Sequence, residues 1–164
     1  MSNFELSKQL SNALKKAASG SIETIPELLL TLELDLDQVE NDLRLSGKTV
    51  ELANREQPEL YFKYNKVSQR LKVIVKTIYQ KIDDKKAVKY KQVKTSSNIS
   101  LSTTDINKWV EGDTEVQAMY GIVMLVEDYA YQYDAIVKSF EMRGYALKNI
   151  TESRINMIHE MTIT

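Results

Sequence analysis

Lysine and tyrosine are the residue types whose number and spacing in this chain could do chemistry. Beyond Glu59, as far as Lys94, stand eleven basic residues: Lys63, Lys66, Arg70, Lys72, Lys76, Lys81, Lys85, Lys86, Lys89, Lys91 and Lys94. Only Asp83 and Asp84 oppose them, which leaves this stretch at +9. Tyr61, Tyr64, Tyr79 and Tyr90 are scattered among the lysines. Cationic side chains meet phosphates and aromatic faces stack on bases, the combination found at single-stranded nucleic-acid sites. The density rises toward Lys85-Lys86-Ala87-Val88-Lys89-Tyr90-Lys91. Spacings of three and four place Lys85, Lys86 and Lys89 on one broad helix face, flanked by Tyr90. The candidate nucleic-acid contacts are therefore Lys76, Lys81, Lys85, Lys86, Lys89, Tyr90, Lys91 and Lys94. The competing reading is a solvated charged face that does nothing beyond keeping the chain in solution.

Little other chemistry is on offer. There is no cysteine, hence no disulfide, thiolate metal site or thiol nucleophile. His159 is the one histidine and stands among Met157, Ile158 and Met161, a setting that suits packing or surface better than catalysis. Asp83-Asp84 and Glu127-Asp128 are adjacent acids, which on a helix face different ways, so no metal pair is expected. No Walker loop, Gly-x-Ser-x-Gly or dinucleotide fingerprint occurs. No cofactor, no metal and no enzymatic activity are expected. The N-terminus lacks the basic start and apolar run of a signal peptide, and no run approaches the ~20 apolar residues of a membrane span. A place in a reducing cytosol fits these features.

The basic stretch needs elements to hold it. Pro58 is expected to open a long helix, since proline is tolerated in a first turn. Leu60, Tyr64, Val67, Leu71, Ile74, Ile78 and Ile82 give that helix an alternating three/four seam. A second helix is expected from Glu115 to Glu160, with a seam of Val116, Met119, Val123, Val126, Ala130, Tyr133, Val137 and Phe140. Asp113 or Thr114 would cap it. Unbroken, it would be about 65–70 Å long, against a radius of gyration of roughly 15 Å for a compact domain of this size. Either it breaks near Gly144, or other chains cover its protruding surface. A second stripe, Ile122, Leu125, Tyr129 and Ile136, exceeds what one partner helix can cover. With Phe140 and Gly144 it is assigned to an oligomer interface.

The front of the chain is less regular. Residues 1–18 look weakly helical, with Phe4, Leu6, Leu10 and Leu14 loosely on one side. From Leu28 to Leu36 leucines alternate with other residues, a period of two that signals a strand; a helical start competes, because leucine favours helix. A short helix is expected over 37–54. From Glu23 to Glu59 ten acids face Arg44, Lys48 and Arg55, a local charge of −7. This segment could meet a basic partner surface or neutralise the basic helix of a neighbouring subunit, and neutralisation is favoured. Residues 95–104 read as a polar loop, with a short helix from Asp105 through Trp109 capped by Thr103 or Thr104.

Arg143-Gly144-Tyr145-Ala146-Leu147-Lys148-Asn149-Ile150, followed by Arg154, resembles the C-terminal motif of the UvsY family, the recombination mediators of tailed phages. Pro58-Glu59-Leu60-Tyr61-Phe62-Lys63 is similar to that family's entry into its central basic helix. Gly112-Asp113-Thr114-Glu115-Val116 is similar to the segment opening its last helix. The likeness covers roughly residues 55–155. It implies a non-enzymatic protein that binds single-stranded DNA and assembles as a ring-like oligomer. Such a protein helps a RecA-like recombinase load onto DNA covered by single-strand-binding protein, in the cytoplasm of the infected bacterial host. The family's lysine/arginine pair before a tyrosine falls on Lys86 to Tyr90, with Lys89 and Tyr90 matching best. This chain has no arginine there, and Ala87 stands at a position that is basic elsewhere.

The expectation is a single, mainly all-α domain over 1–164. It comprises an N-terminal arm and short helix (1–56), a basic helix (57–94), a loop (95–112) and a long oligomerisation helix (113–161). The two long helices form an elongated antiparallel hairpin, with a short N-terminal extended element, in a cyclic oligomer. The alternative is a coiled-coil scaffold or virion assembly protein with no nucleic-acid role.

Overall fold

A computed structural model describes residues 3–96 and 101–162, with the side chains of 6–95 and 101–157. Among the described residues there are five helices and no strand: α1 (Asn3–Ala18), α2 (Ile25–Leu43), α3 (Val50–Ser96), α4 (Thr103–Glu111) and α5 (Thr114–Thr162). His159 and the side chains of Phe4, Ile158 and Met161 lie outside the described side chains.

The expected strand at 28–36 is instead the middle of α2. Its buried residues are Ile25, Leu28, Thr31, Leu32, Asp35 and Val39, a spacing of three and four. Leu30 and Leu34 remain exposed. The alternation of leucines was a coincidence of composition; burial follows the helical period, and Pro26 occupies the first turn, where its missing N–H costs nothing. Nor does Pro58 open the basic helix. α3 starts eight residues earlier at Val50, and Thr49 Oγ1 accepts the Leu52 amide at 3.2 Å. The short helix expected over 37–54 is therefore split: its first part ends α2, its last part begins α3, and Gly47 with φ +81° turns the chain between them.

α5 runs through Gly144 without a break. Asp113 caps it, accepting the amides of Glu115 at 3.0 Å and Val116 at 3.3 Å. Ser102, rather than Thr103 or Thr104, caps α4 by accepting the Asp105 amide at 3.2 Å.

Most of the tertiary contact lies between α3 and α5. Asn54 meets Thr151, Tyr61 meets Glu141, Lys72 meets Asp134 and Lys85 meets Glu115. Rising numbers in α3 thus meet falling numbers in α5. Between the helices the seams expected from spacing are buried: Tyr64, Leu71, Ile74, Ile78 and Ile82 against Val116, Val123, Val126, Tyr133 and Phe140. Tyr64 stacks on Phe140 with ring centroids 4.9 Å apart. α1 packs on α3, where Arg70 donates to Ser7 O at 2.9 Å, and α2 packs on α1 and α5.

Within this apolar core α2 makes polar contacts. Lys63 lies 2.9 Å from Asp35 and 3.6 Å from Asp42. Tyr133 donates to Asp35 at 2.9 Å and Tyr64 donates to Asp42 at 2.8 Å. Burial, reinforced by these carboxylates, pushes both phenols far above their ordinary pKa. Arg143 is buried as well, and burial pulls its pKa down. Its Nε donates to Leu43 O at 3.3 Å, satisfying a carbonyl at the C-terminus of α2, and its Nη1 donates to Gln57.

The residues assigned to an oligomer interface mostly face their own chain. Phe140 is fully buried against Tyr64, so it belongs to the core. A Cβ added at Gly144 would lie 3.1 Å from Gln57 Nε2, so this glycine accommodates α3. Ile122, Tyr129 and Ile136 are partly buried against the core, with Glu33 of α2 beside Tyr129. α2, whose middle was expected to be a strand, lies on α5. Of the stripe only Leu125 is largely open, at 54% exposure.

Candidate nucleic-acid interface

The C-terminal half of α3 carries all eight candidate contacts, and a 47-residue helix keeps them on one rod. The structure sorts them into two groups by what each lysine touches.

One group is tied to acids of the same chain. Lys89 lies 2.8 Å from Asp113 and 2.9 Å from Glu115, and Lys85 lies 3.0 Å from Glu115. The hydrogen bonds with Asp113 and Glu115 raise the Lys89 pKa. The same contacts hold both carboxyls below their ordinary values: Asp113 through Lys89, and Glu115 through Lys89 and then Lys85. Lys81 lies 3.3 Å from Asp84, one turn away. These three lysines are partly neutralised before any ligand arrives. The segregation of charge along the sequence does not survive folding here: Lys85 and Lys89 are opposed by acids at the start of α5 and Lys81 by Asp84 of α3 itself, not by the acidic 23–59 segment. That segment meets the basic helix within its own chain, through Asp35 and Asp42 at Lys63.

The other group is free of ion pairs among the described residues. Lys76, Lys91 and Lys94 are exposed with no acidic partner. Lys86 lies over the Tyr120 ring at 5.1 Å, and hydrogen bonding to that tyrosine raises its pKa. Lys86, Tyr90 and Lys91 line a groove between α3 and α4, closed on the other side by Asn107, Val110 and Glu111. Tyr90 is half-buried there. Such a groove can take a phosphate against two ammonium groups and a base against one ring face. Glu111 opposes an anion at that wall.

Tyr64 is core, and Tyr79 packs edge-on against Tyr120 at 6.4 Å. Sequence reading missed Trp109. It is 69% exposed on α4, the helix that forms the far wall of the groove. The signal was present: a single tryptophan on a nine-residue helix whose buried residues are Ile106 and Val110, one step away from the buried face.

Among the described residues no group of three or more acids or histidines is placed to hold a metal ion, and no helix is long and apolar enough to cross a membrane. No protein-family model, curated protein or solved structure matches the chain.

Proposed function

We propose that the chain binds single-stranded DNA along the C-terminal half of α3 and in the groove between α3 and α4. The observation that carries the reading is the placement of Lys86, Tyr90 and Lys91 in that one groove, with Lys94 free beyond it. The resemblance to the UvsY family extends the reading to a biological role. The chain is a non-enzymatic recombination mediator in the cytoplasm of an infected bacterium, helping a RecA-like recombinase load onto DNA covered by single-strand-binding protein. Its unit is the elongated hairpin of α3 and α5, assembled as a cyclic homo-oligomer. A ring multiplies modest lysine–phosphate contacts by effective concentration.

A salt titration of oligothymidylate binding, read by fluorescence anisotropy, tests this. Each phosphate neutralised on a single strand contributes about 0.7 to the log–log slope. Replacing Lys76, Lys91 and Lys94 with alanine flattens the slope by up to roughly 2 per protomer. Tyr90→Ala weakens binding by ~1–3 kcal/mol with little change in slope. Wild-type protein that binds no oligonucleotide at low salt overturns the reading.

One observation favours the alternative of a coiled-coil scaffold or virion assembly protein. Lys85 and Lys89, in the densest cluster, are held by Asp113 and Glu115 and thus serve the fold. The same titration separates the two readings.

A further inference from the structure

α5 carries an exposed stripe on the side away from α3. Gly121, Asp128, Ala135 and Met142 each follow by two positions a residue of the α3-facing seam: Met119, Val126, Tyr133 and Phe140. Two positions on a helix correspond to a rotation of about 200°. Met124, Tyr131, Lys138 and Tyr145 fall between them, so the stripe advances in strict steps of three and four from Gly121 to Tyr145. Five of the eight, Met124, Tyr131, Ala135, Met142 and Tyr145, are apolar or aromatic at the spacing by which one helix packs along another. All eight residues are exposed, and a Cβ added at Gly121 would meet nothing within 4 Å. Met124 is 66% exposed, Tyr131 72%, Met142 67% and Tyr145 65%. α2 lies on the flank bearing Tyr129, and no element among the described residues covers the stripe.

The stripe is complementary to itself when reversed. About a point level with Tyr133, Met124 faces Met142, the Tyr145 ring faces the bare backbone of Gly121, and the Tyr131 ring faces Ala135. Asp128 faces Lys138. Parallel pairing in register would instead set Asp128 against Asp128 and Lys138 against Lys138. Within the chain Asp128 accepts from Gln132 at 2.7 Å, Lys138 makes no ion pair among the described residues, and Asp134, one turn before it, is bridged to Lys72 at 2.7 Å. Both charges therefore remain available to a partner.

We propose that a second copy of this chain docks on this face, with the two α5 helices antiparallel about a two-fold axis level with Tyr133. The contact would run about 36 Å along the helices at ~1.5 Å per residue. It is isologous: where residue i of one copy meets residue j of the other, residue j of the first meets residue i of the second. The proposal rests on self-association of the chain, not on DNA binding, and it places the contact opposite the stripe of Ile122, Tyr129 and Ile136.

The test uses the full chain, with circular dichroism to confirm unchanged helicity. Light scattering gives the mass over a concentration series. Asp128→Lys alone and Lys138→Asp alone each weaken pairing by about tenfold or more, because each sets like charges together twice. Mixing the two variants, or combining both substitutions in one chain, restores it. The chain has no cysteine, so orientation is read directly by disulfide formation. Met124→Cys and Met142→Cys cross-link when mixed, and neither cross-links with itself. A wild type that stays monomeric at all concentrations overturns both the proposal and the ring. An oligomer in which Met124→Cys links to itself, or in which the double charge swap fails to restore mass, overturns this contact alone.

Discussion

Lys89 lies 2.8 Å from Asp113, so the basic end of α3 is joined to the cap of α5 by the same carboxylate that accepts the first amides of that helix. The carboxylate serves both a helix terminus and a lysine, and a strand of DNA would have to compete with it for that lysine.

Removing the competitors exposes what they hold. Asp113→Asn combined with Glu115→Gln frees Lys85 and Lys89. If these lysines reach the strand, the log–log salt slope of oligonucleotide binding steepens by up to about 1.4 and affinity rises at low salt. An unchanged slope would place both lysines away from the phosphates.

The same junction is sensitive to pH in both directions. Asp113 and Glu115 have lowered pKa values, so their contribution to stability is present above the ordinary carboxylate range and is lost as pH falls through the lowered values. Lys89 has a raised pKa, so its contribution is present below the ordinary lysine value and is lost as pH rises through the raised one. Amide protection around 114–118, corrected for intrinsic exchange, should fall at both extremes. In Lys89→Gln protection should be lower at neutral pH and vary less with pH.

Lys63, half-buried between α2 and α3, should matter more than any surface lysine. Lys63→Met leaves Asp35 and Asp42 without their cation in the core. Breaking a fully buried pair from one side costs about 3–5 kcal/mol; with Lys63 and Asp42 partly exposed the loss is smaller, measurable as a lower midpoint in urea. Lys66→Met, at an exposed position of the same helix, should change the midpoint little.

Gly144 is expected to act through packing. Gly144→Leu pushes on Gln57, which donates to Phe140 O at 2.6 Å and accepts from Arg143. Overpacking of this kind costs about 1–3 kcal/mol. Thermal unfolding should shift down, with DNA affinity of the folded protein unchanged. Loss of binding without loss of stability would instead put this run at the DNA.

The seams of the two long helices were legible in the sequence because burial there is repetitive: Leu71, Ile74 and Ile78 of α3 and Val123, Val126 and Tyr133 of α5 are buried turn after turn, and the three/four spacing reports it. α2 was misread because its leucines outnumber its core positions, so composition concealed the period. Pro58 was taken as a start because its effect on the preceding turn is local, while Thr49 and the packing of Ala53 extend the helix ahead of it. The candidate site was legible as a list of lysines. Which of them are free was not, because Asp113 and Glu115 approach Lys85 and Lys89 only once the chain has turned back through α4. That Ile122, Tyr129 and Ile136 are partly buried within their own chain was not legible for a related reason: a helix counted as a strand could not be counted as their cover.

The polar contacts of α2 give that helix an address as well as an attachment. A leucine-rich helix on an apolar surface could slide by one turn with little change in apolar contact. Here a one-turn slip brings Thr31 and Gln38, or Val39 and Ser46, to the places of Asp35 and Asp42. Lys63 then loses both carboxylates, and the Tyr64 and Tyr133 hydroxyls lose their charged acceptors. The intermediate positions are therefore closed to it. Like a key that seats at one depth, α2 is either home or out, and the surface of α5 beneath it is either fully covered or fully presented.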